Sequence, residues 1–137
     1  MRLDVAQRVL GASLAKAHDM GIAVSVVVVD EGGHMMAMAR MDGARFLTVE
    51  IAYGKAHGCI GFHRVGPEVA QFGQTAPAFV GALATASHGR FFAALGSIRV
   101  VVGGQEVGAV GVSGGSGEQD HQIAQAGVDA VAYGGDA

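Results

Sequence analysis

The side chains able to do chemistry here are six histidines (His18, His34, His57, His63, His88 and His121) and a looser set of charges. That set comprises Asp42, Lys55, Glu118 and Asp120, with Arg40 and Arg45 nearby. A lysine among carboxylates can bind a small acid, or act as a general acid or base where burial shifts its pKa. Lys55 and Asp42 are the acid/base candidates, with Glu118 and Asp120 as further carboxylates. The bland alternative is a surface salt-bridge cluster or a fold-fixing ion pair. Arg40 and Arg45 carry the forked donors that clamp a carboxylate.

The histidines form no His-x3-His pair and no His-Glu-x-x-His motif, so a zinc site has no sequence support. His57 and His63 flank Cys59, but a spacing of six does not return to one helical face. His34 beside a turn and His88 before Gly89 are expected in solvent. His121, one turn into the last helix, is expected on a polar face. His18 falls in the last turn of the first helix, where it can serve as a partner to the helix dipole. Gly111-Val-Ser113-Gly-Gly115 fits Gly-x-Ser-x-Gly. A nucleophile elbow, however, needs a parallel strand and then an acid and a histidine in series, and Asp120 and His121 are adjacent. Hydrolase chemistry is therefore rejected.

The same loop, GVSGGSGEQDH (111–121), stands where a phosphate cradle would, between a strand and a helix. It lacks the lysine of a P-loop, and Glu118 and Asp120 would repel a phosphate. Ser116 suits a helix cap, and the two acids complement the helix dipole. The loop reads as a strand-to-helix joint.

These residues sit in a chain of 137 residues, half of them hydrophobic and 15% charged, with a net charge of −3 and no basic stripe. That excludes a disordered chain and a nucleic-acid partner. One cysteine excludes a disulfide framework. Asp4 and Arg8 interrupt what would be a signal's apolar region, and no run reaches the ~18 apolar residues of a membrane span. A single cytoplasmic domain over 1–137 with no membrane partner is expected. Glycine is abundant, at 23 residues, in doublets at turns (32–33, 103–104, 114–115, 134–135) and inside helical patterns. Glycines kept inside helices, where each costs about 1 kcal/mol against alanine, imply close backbone packing within the fold or between subunits, so a homo-oligomer is expected.

The patterning predicts a helix over 3–20 stopped by Gly21, a doubly buried strand over 22–29, and a hairpin arm over 34–41. In that arm His34, Met36, Met38 and Arg40 are expected on one face, and Met35, Ala37, Ala39 and Met41 on the other. A second helix carries Leu47 to Cys59. An irregular middle, punctuated by Gly66-Pro67 and Ala76-Pro77, ends in a helix from Pro77 to Ser87. Strands over 90–95, 98–102 and 106–112 and a helix from Glu118 to Tyr133 complete the order. The fold class expected is α+β: one five-stranded antiparallel sheet flanked by helices.

Three motifs carry a resemblance over essentially the whole chain: KAHDMGIAVSVVVVD (16–30) continuing into VVVVDEGGHMMAMARMDGA (26–44), IAYGKAH (51–57), and GAVGVSGGSGEQDHQIAQAGVDAV (108–131). The sequence resembles the GlcG/HbpS-like haem-binding family, which includes the C-terminal domain of PduO-type corrinoid adenosyltransferases. The resemblance implies a five-stranded sheet in a profilin-like layer architecture, a homo-oligomer, and haem as cofactor. It implies His18 as the iron ligand, because the histidine of the matching Lys16-Ala-His18 segment carries iron in the PduO-type domain. Haem needs such an imidazole beside an apolar slot, and Arg40 and Arg45 would suit its propionates. Met35, Met36, Met38 and Met41 would either line that slot or form ordinary core. The alternative function is an enzyme acting on a small hydroxy or keto acid through Lys55 and Asp42. The chain departs from the family at Ala94-Leu-Gly-Ser97, where relatives often carry Gly-Gly-x-Pro.

Overall fold

The structure, a computed structural model, describes residues 1–132. Helix α1 (Leu3–Asp19) opens the chain, with Asp4 in its first turn and Lys16 and His18 in its last, the charge order a helix dipole favours. Gly21, at φ 68°, ends it: the Ile22 N–H donates to the Ala17 carbonyl at 3.0 Å in a Schellman-type turn. Ile22 is thereby held in the cap, and strand β1 begins at Ser25 and runs to Asp30. Strand β2 (Met35–Arg40) returns from the turn, then helices α2 (Leu47–Gly61), α3 (Gly66–Thr75) and α4 (Pro77–Ala86) follow. Strands β3 (Ser97–Val102) and β4 (Gln105–Ser113) and helix α5 (Gly117–Ala132) close the order. The expected end of that last helix at Tyr133 and the Gly134-Gly135 doublet lie outside the described residues.

The sheet has four strands, in the order β2-β1-β4-β3, with each neighbouring pair antiparallel. The fifth strand expected over 90–95 does not form. That segment lies across α2 instead, where Phe91 is buried and the Phe92 N–H donates to the Gly54 carbonyl at 3.2 Å. Side chains at positions 54 and 58 would collide with Phe92 and Phe91, so the two helical glycines open the groove that draws the segment off the sheet. The middle is also more regular than expected. Pro67 sits in the first turn of α3, as Pro77 does in α4, where a missing N–H costs nothing.

β1 is central and buried on both faces, so its valines divide between two cores. Val26 and Val28 join α1 and α5, with Val110, Val112 and Ile123. Val27 and Val29 join Ala52, Ala56 and Cys59 under α2. Each fully buried valine is worth about 1.5–3 kcal/mol, an upper range for this bookkeeping. The α2 side is thin because α2 lies directly on β4: a Cβ at Gly111 would overlap the Ala52 carbonyl oxygen. A bulge between Val28 and Val29 breaks the alternation of β2, so Met36 and Ala37 both pack toward the α1 side, against the strict two-face expectation. Met41 packs there too, while Met35 and Met38 are exposed.

Candidate functional site

The β4 end of the sheet holds the molecule's buried charge. Lys55 on α2 and Asp120 on α5 are 3% and 2% exposed. Lys55 Nζ donates to Asp120 Oδ2 at 3.1 Å and to the Val112 carbonyl at 2.8 Å. Asp120 Oδ1 accepts the Gly115 N–H at 2.8 Å. Gly96 closes the pair from above: a Cβ there would press on Asp120, on the Val112 carbonyl and on Lys55 Nζ. Burial pushes the Lys55 ammonium below its ordinary pKa, and the neighbouring Asp120 charge opposes that shift. The pair thus staples α2, β4 and α5 at one point. Of the four-residue constellation, the fold brings together Lys55 and Asp120. Asp42, after β2, and Glu118, on α5, are exposed and stand outside the pair.

The β4–α5 joint is capped from within. Ser116 Oγ accepts the Gln119 N–H at 3.2 Å, and Gln119 Oε1 accepts the Ser116 N–H at 2.9 Å, a reciprocal capping box. Ser116 is the cap the sequence predicts. Asp120 does more than complement the dipole, since it turns inward to Lys55.

Beside this staple opens a cleft of about 680 Å³ between the α1–β1 turn, the β2–α2 loop and the β4–α5 joint. Ile22, Leu47 and Ile51 supply apolar walls, and Arg45 is the one charged residue on its lining. Two hydroxyls, of Thr48 and Ser113, lie on its lining, and the fully buried Ser25 backs them. Ser25 and Thr48 are hydrogen-bonded at 2.8 Å, and Thr48 donates to the Arg45 carbonyl at 2.6 Å. Ser113, the cross-strand partner of Ser25, is 6% exposed and lines the cleft. Sequence reasoning missed this hydroxyl set. Its signal was polar residues at the ends of β-branched runs, and Ser113 was weighed only as a nucleophile.

The remaining candidates are dispersed. His18 is exposed in the last turn of α1, where its carbonyl accepts the N–H of Gly21, a residue of the cleft lip. Arg45 is exposed on that lining, while Arg40 is exposed at the end of β2 and outside it. His34 is exposed and pairs with Asp30 at 3.2 Å; His88 is exposed. His57 is half-buried against Tyr53, and burial, then Arg90 and His34, lower its pKa, partly offset by the Arg90 backbone. His121 is half-buried between two smaller cavities of about 260 and 440 Å³, its Nδ1 without a partner. Burial pushes the Cys59 thiol up to about 12, so it is no nucleophile. Lys55 lines none of these three cavities.

A small α+β domain with one four-stranded antiparallel sheet, helices on both faces and a single-cation cleft at the sheet end is the class these features define. Residues 1–129 match the family model described as "Haem degrading protein HbpS-like", and the chain belongs to that family. An uncharacterized 15.0 kDa protein of Citrobacter freundii is 32% identical over 127 residues, 93% of this chain and 89% of that one. Protein GlcG of Escherichia coli K12 is 35% identical over 114 residues, 80% of this chain and 78% of that one. The solved structure of the PduOC–heme complex superposes with a TM-score of 0.84 at 27% identity, covering 96% of this chain and 94% of its own.

Proposed function

We propose that this protein is a haem- or tetrapyrrole-binding protein that works as a cytoplasmic homo-oligomer, with His18 as the iron ligand and Arg45, joined by Arg40, at the propionates. The observation that carries the reading is the free imidazole of His18, exposed and without a side-chain partner among the described residues, at the helix end that leads into the cleft lip. The other residues fit a porphyrin's needs. Leu47 gives the cleft an apolar wall, Phe46 beside it in the chain is 71% exposed, and Arg45 has no carboxylate partner among the described residues. When bound, haem supplies a ligand-exchanging, redox-active iron. The chain's own residues would donate one imidazole, pair with the propionates and cover the macrocycle's apolar face.

Two observations support self-assembly. Helix α4 carries no charged residue and buries none of its side chains in the single chain. Phe46, Phe79 and Phe92 are exposed as well, more apolar surface than a soluble monomer favours. No helix among the described residues is long and apolar enough to cross a membrane, and a single buried thiol suits a reducing compartment. Titrating the apo-protein with hemin is expected to give a saturable, shifted Soret band. A spectrum equal to the sum of free hemin and protein would overturn the reading.

A further inference from the structure

We infer that the inner end of the large cleft is a binding subsite for a small carboxylate bearing an oxygen on the adjacent carbon, a 2-hydroxy or 2-oxo acid. This goes beyond the tetrapyrrole reading: it shares Arg45 with it but adds Ser113 and Gln119 and needs neither His18 nor Arg40. Its first support is charge. Arg45 is the sole charged residue of the lining, and no carboxylate among the described residues neutralises it. The nearby carboxylate of Asp120 is already matched by Lys55, and Glu118 lines a different, smaller cavity. The cleft therefore presents a net positive charge beside apolar walls of Ile22, Leu47 and Ile51.

Its second support is a set of uncommitted polar groups. Ser113 is more than nine-tenths buried, lines the cleft, and its Oγ takes part in no hydrogen bond among the described residues. The other two hydroxyls, of Ser25 and Thr48, are already bonded to each other. Gln119 also lines the cleft, and its Oε1 is fixed by the Ser116 N–H, which leaves its amide NH2 as a donor. One forked cation with a hydroxyl and an amide donor matches a carboxylate and its neighbouring oxygen.

The same geometry argues against a phosphate. The N–H groups of Gly115 and Ser116, which a phosphate cradle would offer, are taken by Asp120 and Gln119. Recognition must then come from side chains, and a volume of about 680 Å³ lies in the range of small-molecule sites.

The test is calorimetric titration of the whole chain with pyruvate and lactate, with pyruvamide as the uncharged control. Saturable binding of one acid per chain is expected. Arg45→Gln should weaken it at least tenfold, Ser113→Ala severalfold, and pyruvamide should not bind. Arg45 is exposed and the serine change is small, so unchanged circular dichroism is expected for both. Absence of saturable binding of either acid, equal binding of pyruvamide, or affinity unchanged in both variants would overturn the inference. Hemin uptake without acid binding would sink this inference alone, whereas acid binding without hemin uptake would support it and sink the tetrapyrrole reading.

Discussion

Two charged regions lie close together in this fold and obey opposite rules. The Lys55–Asp120 pair is sealed, and its charged groups meet the Val112 carbonyl, the Gly115 N–H or each other. The cleft's Arg45 is exposed and lacks an ionic partner among the described residues, as do His18 and Arg40 outside the lining. A buried charge survives only when matched, so the first region fixes shape. A free charge beside an apolar wall remains available, so the second region is where a ligand can bind. By charge type alone, Lys55 looks the more chemical of the two sets; burial reverses that ranking.

The sharpest way to break this contrast is to remove one partner of the sealed pair. Lys55→Met leaves the Asp120 carboxylate buried without its cation and is expected to cost about 3–5 kcal/mol in urea unfolding. Combining it with Asp120→Leu should recover much of that loss, because an apolar pair avoids the stranded charge. A cost below about 1 kcal/mol for Lys55→Met would place the pair among ordinary surface salt bridges.

His57 stands between the two regions in burial and sharpens the comparison with a smaller effect. Its folded pKa lies below the ordinary 6.5, because of burial and then the Arg90 and His34 charges. Above that ordinary value neither state is protonated at this site, and stability is unaffected by it. As pH falls from about 6.5 toward the lowered folded value, the unfolded chain takes up a proton that the folded one refuses, and stability declines. The urea midpoint should therefore drop on acidification across that window, and His57→Gln should reduce the drop. An identical pH profile for the variant would remove His57 from the account.

Much of the fold was legible in particular residues. The valine run of β1, the Gly21 stop of α1, the Gly32-Gly33 hairpin turn and the Ser116 cap each express a local preference that the fold keeps. The errors came where distant contacts overrule local pattern. Arg90–Leu95 has strand-like residues, yet Gly54 and Gly58, more than thirty positions earlier, make the groove on α2 that holds it. Met36 changed face through a bulge set by pairing with β1. In the site, Lys55 and Asp120 were visible as candidates, but their selection of each other over Asp42 depends on how α2 and α5 meet β4. The three hydroxyls were not singled out as a set, because Ser25, Thr48 and Ser113 converge only in the folded sheet end.

The central claim is that the His18 imidazole, exposed in the last turn of α1, and not just any surface histidine, takes up a tetrapyrrole. Hemin titrations of His18→Ala and His88→Asn, followed in the Soret region beside the unaltered protein, test it most directly, since both histidines are exposed. The account predicts that His88→Asn reproduces the shifted, saturable band and that His18→Ala loses it. A full band and unchanged affinity in His18→Ala would contradict it.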